Sequence, residues 1–167
     1  MPIQMTPQLY HEAFTIGNYE DFKANPGDVR RAFNAAISAS HLADHYLKYY
    51  RKNEPKRVKD YNKIGDYVEY ISGRTKGYFR DIRSIANAYK HLYIGDNKLF
   101  ADYSSISSAG TIETIQIIDQ EIKEICEVPK SDKSNCSTVI YTKKSDEQIQ
   151  FIVALESVME FWKEEIS

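Results

Sequence analysis

The chain has 167 residues, 42% of them hydrophobic and 28% charged, a balance that fits one folded domain and excludes a disordered chain. A net charge of −2 excludes wholesale attraction of the whole chain to nucleic acid or membrane, and no apolar run approaches the roughly 18 residues a membrane helix needs. The start, Met1-Pro2-Ile3-Gln4-Met5-Thr6-Pro7, has no basic or apolar region of a signal peptide. Cys126 and Cys136 match no common zinc spacing, so they read as reduced thiols of a cytoplasmic protein.

In chain order, Thr6-Pro7 reads as an N-cap followed by proline at the first helical position. A short helix with Leu9 and Ala13 is expected, interrupted near Gly17. A second helix through Tyr19 and Phe22 should stop before Asn25-Pro26-Gly27. Asp28 then caps a long helix to about Tyr50, with Val29, Phe33, Ala36, Ile37, Ala43 and Leu47 on one apolar face. The small residues Ala35, Ala36 and Ala39 permit close approach of a neighbouring helix. Residues 51–57, with Pro55, are expected to form a loop.

Val58, Tyr61, Ile64, Val68 and Ile71 step by three or four, which predicts a helix ending at Gly73. The next spans about Thr75 to Ile94, with Tyr78, Phe79, Ile82, Ile85, Ala86, Tyr89 and Leu92 as its core stripe and Gly95 at its cap. Beyond it, Ile112, Ile115 and Ile117 are strand-like but alternate poorly. Thr138 to Thr142 is the clearest strand, and Lys144–Glu147 reads as a turn to a partner at about Gln148 to Val153. Ile152, Leu155, Met159, Trp162 and Ile166 mark a closing helix. The expected fold is α-rich α+β: a helical bundle over about 7–95, then a small antiparallel β-element and a C-terminal helix over about 110–167, in a single domain 1–167. The 13 tyrosines fit amphipathic helix faces, where a phenol buries its ring and keeps its hydroxyl wet.

Charge is unevenly placed. Lys48–Lys90 holds 12 lysines and arginines against 5 acids, whereas Gly110–Ser167 holds 6 against 12. Two oppositely charged parts of one domain would look like this, and so would a basic surface for phosphate-bearing partners. Tyr49, Tyr50 and Tyr61, interleaved with those cations, are candidates to stack on RNA bases.

The candidate polar site combines His41, Asp44 and His45 on the long helix with Arg83, Asn87, Lys90 and His91 on the 75–94 helix. Asp44 falls at the edge of the apolar face, and His41 and His45 lie beside it one turn apart. A carboxylate at a bundle seam needs a cation, because an unpaired buried charge is costly; Arg83 or Lys90 is the expected partner. A register-fixing seam is the plainest use of these residues. A metal site on His41, His45 and Asp44 is a second reading, and acid–base work by His91 or His41 with Arg83 or Lys90 on a phosphate is a third. No phosphate-cradling glycine loop, nucleophile elbow or Cys–His pair accompanies them. The functional expectation is a binding protein using this seam for an anionic ligand or RNA, with no cofactor, metal or membrane partner; a ribonuclease and a purely structural protein are the alternatives.

Asn34-Ala35-Ala36-Ile37-Ser38-Ala39-Ser40-His41-Leu42-Ala43-Asp44, taken with Ile82-Arg83-Ser84-Ile85-Ala86-Asn87-Ala88-Tyr89-Lys90-His91, resembles a group of bacterial and phage-borne helical proteins, and the ending Val158-Met159-Glu160-Phe161-Trp162 is similar to theirs. The arrangement also resembles the HEPN superfamily, whose helical bundles include many RNA-cleaving toxins and defence proteins. That resemblance implies a homodimer whose active site uses an Arg and a His on one helix, separated by four to six residues. Arg83 and His91 have seven residues between them, and one extra residue turns a side chain by about 100° around the helix.

Overall fold

The computed structural model describes residues 4–90, 104–107, 111–116 and 137–167, with the backbone alone at Lys90. The Thr6 hydroxyl accepts the Leu9 amide proton at 3.1 Å, and Pro7 opens helix α1, Pro7–Tyr10. The expected interruption near Gly17 does not occur. The chain instead widens into a π-turn over His11–Thr15 and continues straight into α2, Ile16–Ala24. Asn25 leaves helical geometry ahead of Pro26, whose ring disfavours a helical residue before it.

Asp28 starts α3, Val29–Asn53: its carboxylate accepts the amides of Arg30 and Arg31 at 2.9 and 3.3 Å. At 25 residues this helix is about 37 Å long and is the axis of the molecule. The polar stretch expected as a loop after Tyr50 continues the helix to Asn53. Pro55–Val58 then forms a 3-10 turn, so Val58 and Tyr61 precede the next helix instead of belonging to it. The reason is the Asp66 carboxylate, which accepts the amides of Asn62 and Lys63 at 3.0 Å each and fixes the start of α4, Ile64–Arg74. Lys76 and Gly77, at φ 54° and 85°, make the turn out of α4. Gly77 pays no steric penalty there, and Thr75, whose hydroxyl accepts the Phe79 amide, leads into α5, Tyr78–Lys90.

α3 packs lengthwise on α5. Ala32, Ala35, Ala36, Ala39 and Ala43 are buried on the former, and Phe79, Ile82, Ile85 and Ala86 on the latter, so small side chains on one helix receive large ones from the other. Tyr89, expected in that stripe, lies in the last turn of α5 with its ring 4.8 Å from Phe33 and about half its surface in solvent. Leu92, Gly95, Ile117, Cys126 and Cys136 lie outside the described residues.

The sheet is antiparallel in the order β1 (Ile112–Gln116), β2 (Ser137–Thr142) and β3 (Gln148–Gln150), with Thr114 opposite Val139 and Tyr141 opposite Ile149. β2 is the middle strand, and Thr138, Val139, Ile140 and Tyr141 are all buried. β-branched and aromatic side chains suit that position. β3 is half the length expected, because Phe151 already begins the closing helix α6, Phe151–Ile166. The sheet is bonded to the helices by the Val139 amide, which donates to the Pro26 carbonyl at 2.8 Å, by the Thr114 hydroxyl, which donates to the Gly27 carbonyl at 2.7 Å, and by the Tyr141 hydroxyl, which donates to Asp81 at 2.7 Å. Trp162 of α6 is fully buried and donates its indole N–H to the Ala39 carbonyl at 3.0 Å. The architecture is thus an α-rich α+β fold with a small three-stranded sheet and a C-terminal helix. Among the described residues, no helix is long and apolar enough to cross a membrane.

Candidate functional site

Arg83 of α5 reaches across to α3 and holds Asp44 with two parallel N–H donors, at 2.9 and 3.3 Å, while one of those nitrogens also lies 3.4 Å from the Ser40 hydroxyl. The geometry is the fork that a guanidinium makes with a carboxylate. The pair is part-exposed, in keeping with the place of Asp44 at the edge of the apolar face: the two side chains keep 23% and 46% of their surfaces. Bulk water screens such a pair, so Asp44→Ala is expected to lower stability by only about 0.2–1 kcal/mol in a denaturant titration. A loss near 3 kcal/mol, the scale for a buried pair broken on one side, would contradict this placement.

The remaining candidates separate. His41 is exposed. His45 is half-buried and turned toward the N-terminal segment, with Nε2 2.8 Å from the Met5 carbonyl and its ring 5.5 Å from Tyr10. Tyr10 in turn is close enough to Asp44 that burial first, and that carboxylate second, push its phenol above the ordinary value. Asn87 is half-buried on the same flank as Arg83. Lys90 ends α5, and its side chain and the whole of His91 lie outside the described residues, so no Arg–His pair can be placed. Among the described residues, no three His, Cys, Asp or Glu side chains converge as a metal ion would need.

Below Asp44 the surface opens into a groove of about 530 Å³ lined by Asp44, Leu47, Lys48, Arg51, Lys52 and Ile64. Its position follows from two helices. Asp44, Lys48 and Lys52 follow one another at one-turn spacing on α3, with Arg51 three residues after Lys48, and Ile64 opens α4 on the other side. Leu47 is buried and Ile64 half-buried, so each side of the groove adds an apolar side chain to the cations of α3. Arg51 is fixed in place, donating from one Nη to the carbonyls of Tyr61 at 3.0 Å and Asn62 at 2.6 Å. Three cations therefore face one carboxylate, and that carboxylate is already held by Arg83. Leu47, Lys48, Arg51, Lys52 and Ile64 are absent from the polar seam read from sequence. The spacing of the charged residues with Asp44 marks one helix face, but the part Ile64 plays depends on how α4 packs.

Comparison of the chain with protein-family models, with curated proteins and with solved structures finds no match.

Proposed function

We propose that the protein binds a phosphate-bearing ligand in the groove between α3 and the start of α4. The observation that carries this reading is the lining: Lys48, Arg51 and Lys52 beside the apolar side chains of Leu47 and Ile64. A cleft of a few hundred Å³ with few polar groups and apolar side chains suits a small ligand with a charged end and a flat or apolar body. Asp44, held by Arg83, lines the groove beside these cations.

Single-stranded RNA is the second reading. Lys56, Lys59 and Lys63 are exposed beyond the groove and make no ion pair among the described residues, and Tyr61 lies half-buried between them. Cations that track a backbone beside an aromatic face are the usual means of holding a single strand. Of the stacking candidates, Tyr50 is buried, which leaves Tyr49 and Tyr61. A HEPN-like cleavage activity would need Arg83 and His91 together, and Arg83 already donates two N–H groups to Asp44. RNA hydrolysis lost on His91→Ala would be the result that favours it.

The test is calorimetric titration of the full chain with inorganic pyrophosphate and with a short single-stranded RNA. Lys48→Glu/Lys52→Glu is expected to weaken binding of whichever ligand is held by about a hundredfold or more, since each charge-assisted contact is worth roughly 1.5–3 kcal/mol. A steep fall of RNA affinity with salt, with pyrophosphate unbound, selects the RNA reading. Binding of neither ligand, or binding unaltered in the double variant, contradicts the proposal.

A further inference from the structure

The N-terminal helical segment buries Phe22 and packs Tyr10 and Tyr19 on the core, yet it leaves an apolar face in solvent. Its inward side carries His11 and Thr15, 7% and 1% exposed, and neither the His11 Nδ1 nor the Thr15 hydroxyl finds a hydrogen-bond partner among the described residues. Burial holds the His11 imidazole below its ordinary pKa. Its outward side carries Leu9, Phe14 and Ile16, each between 38% and 46% exposed, with Met5 just ahead of them. Ala13 is exposed in the same face, and a methyl group built on Gly17 would meet nothing within 4 Å. The hydrophobic effect opposes leaving Leu9, Phe14 and Ile16 in water. Their exposure is accounted for if the outward face is covered in use.

We infer that this face docks an amphipathic helix of another protein whose apolar stripe is flanked by lysines or arginines. Charge selects the occupant. No lysine or arginine occurs before Lys23, and Glu12, Glu20 and Asp21 are exposed along the segment. A second copy of the chain, joined through the same face by a twofold axis, would bring these acids against their own copies. An anionic membrane surface would be repelled in the same way. A helical partner suits the shape, because Ala13 and Gly17, one turn apart, leave room for another helix axis to approach between the larger Leu9, Phe14 and Ile16. Exposed apolar side chains rimmed by charge are the usual mark of such an interface.

The experiment measures fluorescence anisotropy of a leucine-striped peptide of about five helical turns, made once with lysine flanks and once with glutamate flanks, against the full chain. The lysine peptide is expected to bind and the glutamate peptide not. Leu9→Glu/Ile16→Glu is expected to abolish binding without lowering the melting temperature, and Glu12→Lys/Glu20→Lys to weaken it by about tenfold at low salt. If the apolar double variant melts early, Phe14→Gln, at the most exposed of these positions, must show the loss instead. Equal binding of both peptides, or binding unaltered in these variants, overturns the inference. So does a concentration-dependent dimer, seen by sedimentation, that Leu9→Glu/Ile16→Glu dissolves.

Discussion

Replacing Trp162 with alanine is expected to destabilise the fold by about 3–5 kcal/mol, the range for removing a large aromatic from a closed core. The indole is fully buried where α6 meets α3 and α5. Its ring lies 5.0 Å from Phe161, 6.2 Å from Phe79 and 6.3 Å from Tyr46. Truncation leaves a cavity that those rings can only partly fill, and it strips the Ala39 carbonyl of its indole donor. Trp162→Phe keeps much of the packing and loses that hydrogen bond, so its cost should be smaller, at about 1–2 kcal/mol. Urea titration followed by circular dichroism reads both. A loss below about 1 kcal/mol for the alanine variant would mean that α6 does not close this core.

Tyr141→Phe should be the next most damaging single change. Asp81 is 2% exposed and accepts the Tyr141 hydroxyl at 2.7 Å, while the Lys143 ammonium stands 4.0 Å off. Burial, and then the Asp81 carboxylate, push the Tyr141 phenol well above its ordinary value, so it remains a proton donor throughout the working pH range. Removing the hydroxyl leaves a buried carboxylate without its close donor, at a cost of about 1–3 kcal/mol. Asp81→Asn in the Tyr141→Phe background should return part of it, because an amide is less costly to bury than a charge. An unchanged denaturation midpoint for Tyr141→Phe would show that this bond does not hold β2 to α5.

The parts of the fold legible in the sequence are those where one residue decides a local question. Asn25-Pro26 stops one helix and Asp28 starts another, Thr6-Pro7 opens the first, and Thr138–Thr142 offers β-branched and aromatic side chains to a middle strand. The periodic stripes of α3, α5 and α6 pointed to a common core, because large apolar residues recur there at helical spacing. What stayed hidden depends on partners distant in sequence. Val58 and Tyr61 keep the period of α4, but Asp66 accepts the amides just before Ile64 and shortens the helix. Phe151 belongs by pattern to a strand, yet Phe22 packs on its ring at 4.9 Å and the residue begins α6. Leu9 and Ala13 mark an apolar stripe in the expected place, and no local rule says that the stripe faces outward.

The candidate site divides in the same way. The Asp44–Arg83 contact follows from a carboxylate and a guanidinium on two helices whose apolar faces must meet. The degree of its exposure does not, since that depends on how much of α1 and α5 covers the edge of α3. The groove is still less legible. Lys48, Arg51 and Lys52 look like ordinary cations near a helix C-terminus, where the dipole favours them. Only the placement of Ile64 across from Leu47 turns that basic face into a cleft.

The most direct measurement of the binding proposal is a map of backbone amide shifts as inorganic pyrophosphate is added to the full chain. The account predicts shifts concentrated in residues 44–52 and 61–64, saturating together and absent in Lys48→Glu/Lys52→Glu. Shifts confined to other surfaces, or no saturable shift, would contradict it.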